Sequence, residues 1–282
     1  MFCGAVMNTK PSATLRYLET HEVFTLGEYL AEVDSSVGER VRYLNLLNAV
    51  RRGQAYSLKR RLYASNIGAY RDSVPNVMLV AAKAAPDSVV AYHAALEAHG
   101  VAHSPARSVY FVSPQKVAPF EVRGYRFRRA PDLEKGRSRA TWQADRTERS
   151  RFVTQLRYRD AVVPATSRER TLVDCLYRLD LAGGLEEFMR SIGSFSTMLA
   201  ADVADYVCSL SSPTLIARAG WLLDLMRDDW LVDPAPLEDM RGRLGRGTYW
   251  LQRRRPEVDY EFVSEWRLYV PAALPYQDWL RG

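Results

Sequence analysis

The stretch TLGEYLAEVDSSVGERVRYLNLLNAVRRGQAYSLKRRLYAS, residues 25–65, decides the fold of the N-terminal part of the chain. Its segments 25–28 (TLGE) and 36–39 (SVGE) both have the pattern of a capping box. In a capping box, a Ser or Thr hydroxyl and a Glu carboxylate satisfy the free N–H groups at a helix start. Two such signals so close together predict a short helix, a tight turn and a second helix. This is the spacing of a helix-turn-helix.

The second of these helices is expected to run from about Val37 to Arg51. The side chains expected to dock it onto the preceding helices are Val37, Val41, Leu44, Leu47 and Asn48. Those expected on or beside its free face are Gly38, Glu39, Arg40, Arg42, Tyr43 and Asn45. A free face with Arg, Asn and Tyr can enter a DNA major groove and bond to base edges. A merely solvated basic face is the alternative.

A basic hairpin is predicted directly after this helix. Residues 54–58 and 61–65 alternate as strands do, and Lys59 and Arg60 form the tip with Arg61 just beyond it. Such a hairpin is typical of a wing, whose cations reach a phosphate backbone or a minor groove. Three helices and a basic hairpin together predict a winged helix-turn-helix that binds DNA. The predicted DNA-binding residues are Ser36, Arg40, Arg42, Tyr43, Asn45, Lys59, Arg60, Arg61, Arg126 and Arg128.

Outward from this stretch, a short helix is predicted before it at residues 14–21 and a larger α+β unit after it. The helices predicted in that unit span 88–99, 167–181, 184–192, 200–210 and 214–226. The strands predicted there span 108–113, 122–128, 152–158, 248–252 and 262–270. The expected fold is therefore mixed α/β, with a DNA-binding domain at 1–82 and an α/β domain with a helical layer at 83–282.

Charge is distributed unevenly along the chain. Residues 1–82 carry ten Lys and Arg against seven Asp and Glu, and residues 121–170 carry fourteen against seven. Residues 171–282 carry twelve against seventeen. This pattern favours a polyanion that contacts the first half, and nucleic acid is the commonest one. The basic block 121–170 is expected to lie on the same side as the wing, and a solvated, charge-protected sheet edge is the alternative.

Three widely spaced cysteines, Cys3, Cys175 and Cys208, do not make a disulfide framework and predict a reducing compartment. No signal peptide and no apolar run of about 20 residues is evident, so a cytoplasmic protein without a membrane partner is expected.

Catalytic and metal sites are the rival interpretations. His99 and His103 have metal-ligand spacing, but Gly100 breaks the helix between them and no cysteine is close. A metal-dependent nuclease would need clustered carboxylates, for which the candidates are Asp132 and Glu134 with Lys135, and Glu257, Asp259 and Glu261. Asp174 is expected to pair with Arg170, four residues earlier, rather than to act in catalysis. No enzyme, metal or cofactor is predicted, and a protein-interaction adaptor stays open as a third class.

Three stretches carry a resemblance to a known family. They are the winged-helix end with RRG at 51–53 and KRRLYA at 59–64, PDSVVAYHAALEAHG at 86–100, and VPATSRERTLVD at 163–174. They span about residues 14 to 185, and the second is the most specific. The chain resembles the AbiEi antitoxins of bacterial abortive-infection toxin–antitoxin systems.

This resemblance implies a transcriptional autorepressor of a two-gene operon, whose partner gene encodes a nucleotidyltransferase-like toxin. It implies a winged helix that binds operator repeats in double-stranded DNA, where cooperative binding could occur, and a C-terminal domain that supports antitoxicity. It also implies that neutralisation of the toxin need not require a stable complex between the two proteins.

Overall fold

The computed structural model describes residues 12–133 and 152–281 of the chain. Within these residues the fold is mixed α/β, and the strands form two three-stranded sheets and one six-stranded sheet. The N-terminal elements are α1 (Ala13–Thr20), β1 (Val23–Thr25), α2 (Leu26–Glu32), α3 (Glu39–Arg51), β2 (Ala55–Lys59) and β3 (Leu62–Ser65). Strand β3 lies between β1 and β2 and is antiparallel to both.

Local sequence signals explain where the first two helices begin. Ser12 caps α1 by accepting the Leu15 N–H, and Thr25 forms the predicted capping box with Glu28 at the start of α2. The second predicted capping box does not form: α3 begins after Gly38 without a side-chain cap. The hydroxyl of Ser36 donates instead to the carboxylate of Asp34 in the turn before α3. This local bond offers the hydroxyl an alternative to capping.

The six-stranded sheet carries the middle of the chain. Its strands and the helices among them are α4 (Val77–Ala82), β4 (Val89–Val90), α5 (His93–Ala98), β5 (Ser108–Val112), β6 (Phe120–Val122), β7 (Tyr125–Arg129), β8 (Val153–Tyr158) and β9 (Ala161–Thr166). The strand order is β6-β7-β5-β4-β9-β8, with β5 parallel to β7 and β4 parallel to β9. The remaining neighbours are antiparallel.

Two predicted elements of this region are wrong. The predicted helix 88–99 is divided, because Val89 and Val90 pair between β5 and β9 and the helix starts only at His93. The predicted strand 122–128 is the end of β6, a turn and β7. Arg123 and Gly124 form that turn with φ of 48° and 82°, the left-handed conformation that two-residue hairpins need.

The C-terminal part packs a helical layer beside a small sheet. Its elements are α6 (Arg168–Tyr177), α7 (Leu185–Gly193), α8 (Ala200–Ser209), α9 (Pro213–Leu225), α10 (Pro234–Gly242), β10 (Tyr249–Trp250), β11 (Tyr260–Val263), β12 (Leu268–Pro271) and α11 (Tyr276–Arg281). Strand β12 lies between β10, to which it is parallel, and β11, to which it is antiparallel. The sequence patterns predict the helices α6 to α9 and miss α10 and α11.

Three clusters of buried apolar side chains hold the elements together. One lies among α1, α2, α3 and the inner side of the N-terminal sheet. A large one joins α6 to α11 and the small sheet to one face of the six-stranded sheet. The third spans the predicted boundary at residue 82, since it joins Leu58 and Leu62 of the hairpin to Met78 and Val80 of α4 and to Phe111 of β5.

The helices of residues 12–133 and 152–281 include none with the length and apolar character needed to cross a membrane.

Candidate nucleic-acid interface

Helix α3 presents a continuous exposed face that follows the helical repeat. The side chains on this face are Arg40, Val41, Leu44, Asn45, Asn48 and Arg51, and Arg52 follows as the C-cap. Positions three to four residues apart lie on the same side of a helix, so these side chains form one strip along α3. We call them the α3 strip. Polar and cationic groups at both of its ends can bond to base edges and phosphate oxygens.

The opposite face of α3 is fixed against the N-terminal core. Leu46 and Ala49 are buried in the same cluster as Tyr29 of α2. The Tyr29 hydroxyl donates to the Arg42 carbonyl oxygen at 3.1 Å and shares a 2.8 Å hydrogen bond with Thr14 of α1. These contacts set the rotation of α3 about its own axis and thereby determine which side chains remain exposed.

The predicted docking face of α3 is therefore wrong. Val41 and Leu44, which the sequence places against the preceding helices, are 48% and 45% exposed. Asn48 is exposed as well and joins the α3 strip. The apolar residues of this helix have no clear 3.6-residue period, so the pattern alone could not fix its rotation.

Arg42 does not belong to the exposed face. Its guanidinium donates from Nη1 to the Leu30 carbonyl oxygen and, at 3.0 Å, to the Val33 carbonyl oxygen at the end of α2. The last carbonyl groups of a helix lack partners within the helix, and a cation near them is favourable. Arg42 therefore connects α2 to α3. Its guanidinium is bonded to α2 and does not lie where it was predicted to contact bases. Ser36, held by Asp34, lies in the exposed turn just before α3.

Tyr43 connects α3 to the hairpin. Burial, together with the neighbouring hydroxyl of Tyr43, raises the pKa of Tyr63 on β3, and the charge of Arg61 lowers it. Tyr43 itself is 37% exposed at the edge of the α3 strip. Tyr43, at the edge of the α3 strip, therefore lies near Tyr63 of the hairpin.

The cations of the hairpin divide into two kinds. Arg60 and Arg61 form the turn and are exposed, and Arg61 has a φ of 64°. Lys59 turns inward: its Nζ donates to the Ala84 carbonyl oxygen and lies 5.6 Å from the centre of the Phe120 ring. Burial lowers the pKa of Lys59. Of the three predicted wing cations, Arg60 and Arg61 are therefore accessible to a phosphate group. Lys59 instead bonds to Ala84 and packs against Phe120 of the six-stranded sheet.

A cleft of about 740 Å³ lies beside the hairpin turn, between the start of α2 and the end of α4. Lys83 and Glu28 form a 2.7 Å ion pair within it. Burial would raise the pKa of Glu28, but hydrogen bonds from Lys83 and from Thr25 outweigh burial and hold that pKa below its usual value. Because Glu28 is paired with Lys83, the exposed cations Arg60, Arg61 and Lys116 leave this cleft with an excess of positive charge.

The predicted contribution of Arg126 and Arg128 does not fit the geometry. Between them on β7, Phe127 is buried in the cluster that contains the hairpin residues Leu58 and Leu62. Side chains alternate across a strand, so Arg126 and Arg128 lie on the opposite face of the sheet from the hairpin. Arg126 forms a 2.7 Å ion pair with Glu121 there. The expectation that these arginines share a side with the wing is wrong.

The same argument applies to β8, where Arg157 alternates with Leu156 and Tyr158, which pack toward the hairpin side. Arg159 lies over the ring of its neighbour Tyr158 at 5.7 Å. Five other members of the basic block, Arg137, Arg139, Arg146, Arg149 and Arg151, lie outside the described residues, as do Glu134 and Lys135.

The histidines have structural partners. His93 is buried and contacts Glu187 at 3.2 Å, and His99 bonds to the Thr166 carbonyl oxygen at 2.8 Å. Burial lowers the pKa of His99. His103 donates its backbone N–H to Ser191. Over residues 12–133 and 152–281, no three His, Cys, Asp or Glu side chains gather in a way that could hold a metal ion.

Asp174 pairs with Arg170 at 3.3 Å, as predicted from their spacing. Arg170 also contacts Asp132 at 3.1 Å, and the Tyr206 hydroxyl donates to Asp174 at 3.0 Å. Burial raises the pKa of Asp174 to about 6, although Arg170 acts in the opposite direction. Glu257, Asp259 and Glu261 are exposed at the edge of the small sheet.

No protein-family model matches the chain, and no curated protein matches it. Among solved structures, the chain is similar to the crystal structure of the RV2827C protein from Mycobacterium tuberculosis, with a TM-score of 0.55 and 14% sequence identity. The similarity covers 91% of this chain and 89% of that chain. At this level of identity the comparison shows a shared fold and nothing more.

Proposed function

We propose that the chain is a sequence-specific, double-stranded DNA-binding repressor, and that its N-terminal part is a winged helix-turn-helix. The order helix, strand, helix, helix, strand, strand, with β1 paired to β3, supports this proposal. The observation that carries it is the α3 strip, an exposed helix face with Arg40, Asn45 and Asn48, together with a following hairpin whose turn exposes two arginines. A helix of 13 residues with one free face that carries Arg and Asn side chains suits a major groove.

Within this proposal the exposed side chains have distinct roles. Arg40 and Asn45 would bond to base edges, and Tyr43 would assist them at the edge of the helix. Asn48 joins this group, although the sequence pattern placed it on the buried side. Val41 and Leu44 would make apolar contacts, for which the methyl group of thymine is the natural partner.

The remaining cations would bind phosphate groups. Arg51 and Arg52 at the end of α3 and Arg60 and Arg61 at the hairpin turn are exposed. Phosphate contacts fix the orientation of a protein on DNA without reading sequence. In this arrangement the helix reads bases while its C-terminal end and the hairpin hold the two flanking backbones.

The resemblance to AbiEi antitoxins extends the proposal to biology. The chain would repress its own two-gene operon in the cytoplasm, with no catalytic activity of its own, and would counteract a nucleotidyltransferase-like toxin encoded beside it. In this proposal residues 1–82 bind DNA and residues 83–282 support antitoxicity. The gene adjacent to this one should then encode such a toxin, and co-expression of the full chain should restore growth of cells that express it.

The direct test begins with selection of binding sites from a random duplex library by the full-length chain. Fluorescence anisotropy then compares the selected duplex with a scrambled one at several salt concentrations. The variant R40A/N45A/N48A removes three polar groups of the α3 strip. The matched control R126A/R128A removes two exposed cations from the face of the sheet that lies opposite the hairpin.

The expected result is a selected consensus that the triple variant no longer distinguishes from scrambled DNA, while the control binds as the parent does. Failure to select any consensus would contradict sequence-specific binding. The exposed Val41 and Leu44 favour an adaptor as the second candidate, because apolar side chains on a free helix also suit a protein partner. An α3 variant that abolishes co-purification of a protein from nuclease-treated lysate, with no effect on DNA, would favour the adaptor.

A further inference from the structure

The small C-terminal sheet has a column of three aromatic rings on its outer face. Trp250 on β10 lies opposite Tyr269 on β12, and Tyr269 lies opposite Phe262 on β11. The ring centres are 4.5 Å apart for Trp250 and Tyr269 and 4.9 Å apart for Tyr269 and Phe262. Phe262 ends the column and is 43% exposed. We call these three residues the aromatic column.

The aromatic column faces away from the main core. On β12, Leu268 and Val270 flank Tyr269 and are buried in the large apolar cluster. Because side chains alternate along a strand, Tyr269 and the rings opposite it lie on the other face. A core-forming strand would normally present small polar groups there. Three aromatic side chains on an outward face therefore call for a ligand or a partner.

A run of three arginines adjoins the column. Arg253, Arg254 and Arg255 are exposed, and the guanidinium of Arg254 lies 5.4 Å from the centre of the Trp250 ring. The Arg255 N–H donates to the Tyr260 hydroxyl at 2.9 Å, and the Tyr260 ring packs edge-on against Trp250. These contacts hold the arginine run at the Trp250 end of the column.

A cleft of about 1030 Å³ continues from Trp250 toward the end of α6 and the start of α9. At its inner wall, Arg218 donates to the carbonyl oxygens of Trp250 and Leu176 at 2.8 and 2.7 Å. Burial lowers the pKa of Arg218 to about 10. Across the part of the chain that the structure describes, no carboxylate forms an ion pair with this guanidinium.

The charge balance of the cleft is positive. It is lined by five arginines, Arg178, Arg218, Arg253, Arg254 and Arg255, and by the carboxylates of Asp180 and Glu257. Asp180 is already held by Arg178 through hydrogen bonds of 2.7 and 2.6 Å. A smaller adjoining cavity, of about 430 Å³, adds Asp259 and shares Trp250, Arg254 and Arg255 with the cleft. The combined surface therefore has an excess of cations beside the half-buried Trp250.

We propose that the aromatic column and the arginine-lined cleft form a binding site for single-stranded nucleic acid, separate from the duplex-binding surface on α3. Unpaired bases stack on Phe262 and beside Trp250, while the arginine run and the cleft bind the phosphates. Stacked aromatic side chains combined with a positive groove are the usual means of binding unpaired strands. The three rings contact one another at 4.5 and 4.9 Å, so the column offers unpaired bases its exposed end at Phe262.

Stabilisation of the sheet explains only part of this arrangement. Cross-strand aromatic pairs do stabilise a sheet. They do not require a large exposed fraction of Phe262 or a run of three arginines. They also do not require a cleft whose Arg218, among the described residues, bonds to two carbonyl oxygens and to no carboxylate. A protein partner also favours Trp, Tyr and Arg, but the cation excess and the concave cleft favour a flexible polyanion.

The test uses the full-length protein and fluorescence anisotropy with labelled 12-nucleotide single strands of RNA and of DNA, and with the matching DNA duplex. F262A and R254A remove exposed groups from the two ends of the site. R126A, which removes an exposed arginine from a different sheet, is the control, and the thermal unfolding midpoint verifies that each variant is folded. R40A/N45A/N48A is included to separate the two surfaces.

The expected result is single-strand binding that F262A weakens by about tenfold, because one base no longer stacks. R254A should also weaken it by about tenfold, because it removes a phosphate contact beside Trp250. R126A and the α3 triple variant should leave it unchanged. Tighter binding of RNA than of DNA would identify the 2′-hydroxyl as part of recognition, and equal binding would identify stacking and phosphate contacts alone.

Three outcomes would overturn the proposal. They are absence of single-strand binding, single-strand binding that F262A and R254A do not change, and full competition by a nucleoside monophosphate at the same concentration of base. The last would assign a mononucleotide pocket instead of a strand site. Since none of these depends on duplex binding by α3, failure here and failure of the proposed function are distinguishable.

Discussion

Arg40 and Arg42 are two positions apart on α3, yet their side chains meet opposite environments. Arg40 is exposed on the α3 strip, whereas Arg42 places its guanidinium on the carbonyl oxygens that end α2. A sequence shows that both residues are cationic but does not show which one lies over the end of a neighbouring helix. The rotation of the helix, set by the burial of Leu46 and Ala49, decides which of the two side chains is exposed.

We expect R40A and R42A to separate these roles. R40A should weaken binding to the selected duplex by about 1–3 kcal/mol, the usual effect of removing a base-contacting arginine, and leave the urea unfolding midpoint unchanged. R42A should lower the free energy of unfolding by about 1–3 kcal/mol, because buried carbonyl groups are deprived of their donor. Anisotropy and urea denaturation measure the two effects. The reverse outcome, with R42A affecting only binding, would restore Arg42 to the interface.

Asp174 is a fully buried carboxyl group whose burial outweighs its partners Arg170 and Tyr206. Burial raises its pKa to about 6 in the folded chain, whereas an exposed aspartate has a pKa of roughly 4. The folded state therefore takes up this proton at a higher pH than the unfolded state does. By linkage, this group contributes more stability as the pH falls from about 6 toward 4.

D174N removes this ionisation and tests its sign. As the pH falls from 7 to 4, the free energy of unfolding of the parent should rise relative to that of D174N, by at most about 3 kcal/mol. Urea denaturation of both proteins at each pH gives the difference. Other carboxyl groups, such as Asp224 with its lowered pKa, destabilise both proteins alike as acid is added and cancel in this difference. Parallel curves for the two proteins would show that folding does not raise the pKa of Asp174.

At the scale of elements, the sequence predicts features that depend on particular residues close together in the chain. It does not predict features for which only a weak periodicity of apolar residues is available. Thr25 and Glu28 cap α2 as expected, and the hairpin of β2 and β3 forms at the predicted place. The failures have particular causes. The hydroxyl of Ser36 is taken by Asp34, and the β6–β7 turn places Arg123, a residue with no turn preference, at positive φ.

The candidate site was predictable only in outline. The sequence locates Arg40, Asn45 and the hairpin cations, because a helix followed by a basic hairpin is a local signal. It misses Asn48, since the face of α3 depends on contacts with Tyr29 from another element. It also misses the aromatic column, because Tyr269 pairs with Trp250 across 18 intervening residues and with Phe262 across six.

The hairpin yields a prediction about electrostatics. R60A/R61A should weaken binding to every duplex alike and reduce the slope of log affinity against log salt by about two, roughly one for each phosphate that is no longer neutralised. The single variant K59A is the matched control from the same hairpin. Because Lys59 is bonded to the Ala84 carbonyl oxygen, K59A should leave the salt slope unchanged and lower the unfolding midpoint. A salt slope that falls in K59A would mean that Lys59 leaves this carbonyl oxygen to bind DNA.

At the scale of the whole molecule, the N-terminal part and the six-stranded sheet share one core. Polar contacts reinforce the shared core: Asn76 donates its backbone N–H to Glu22 and its side-chain amide to the Tyr158 carbonyl oxygen. The predicted division at residue 82 therefore falls next to α4, a helix packed between the hairpin and the sheet. If DNA binding displaced α3, the shared core would pass that displacement to the six-stranded sheet, because closely packed interiors transmit strain.

Because the core is shared, we expect a substitution in the hairpin to destabilise the six-stranded sheet as well. L62A truncates a buried side chain of the shared cluster and should lower the free energy of unfolding by about 2–5 kcal/mol. Native-state hydrogen exchange should then show faster exchange in β5 and β7 as well as in β3, because all three strands contribute to that cluster. L46A is the control, since Leu46 is equally buried but belongs to the cluster among α1, α2 and α3. It should accelerate exchange in those helices and leave β5 and β7 near the parent rates. If L62A leaves β5 and β7 as protected as in the parent, the two parts open independently, and the division at residue 82 separates autonomous domains.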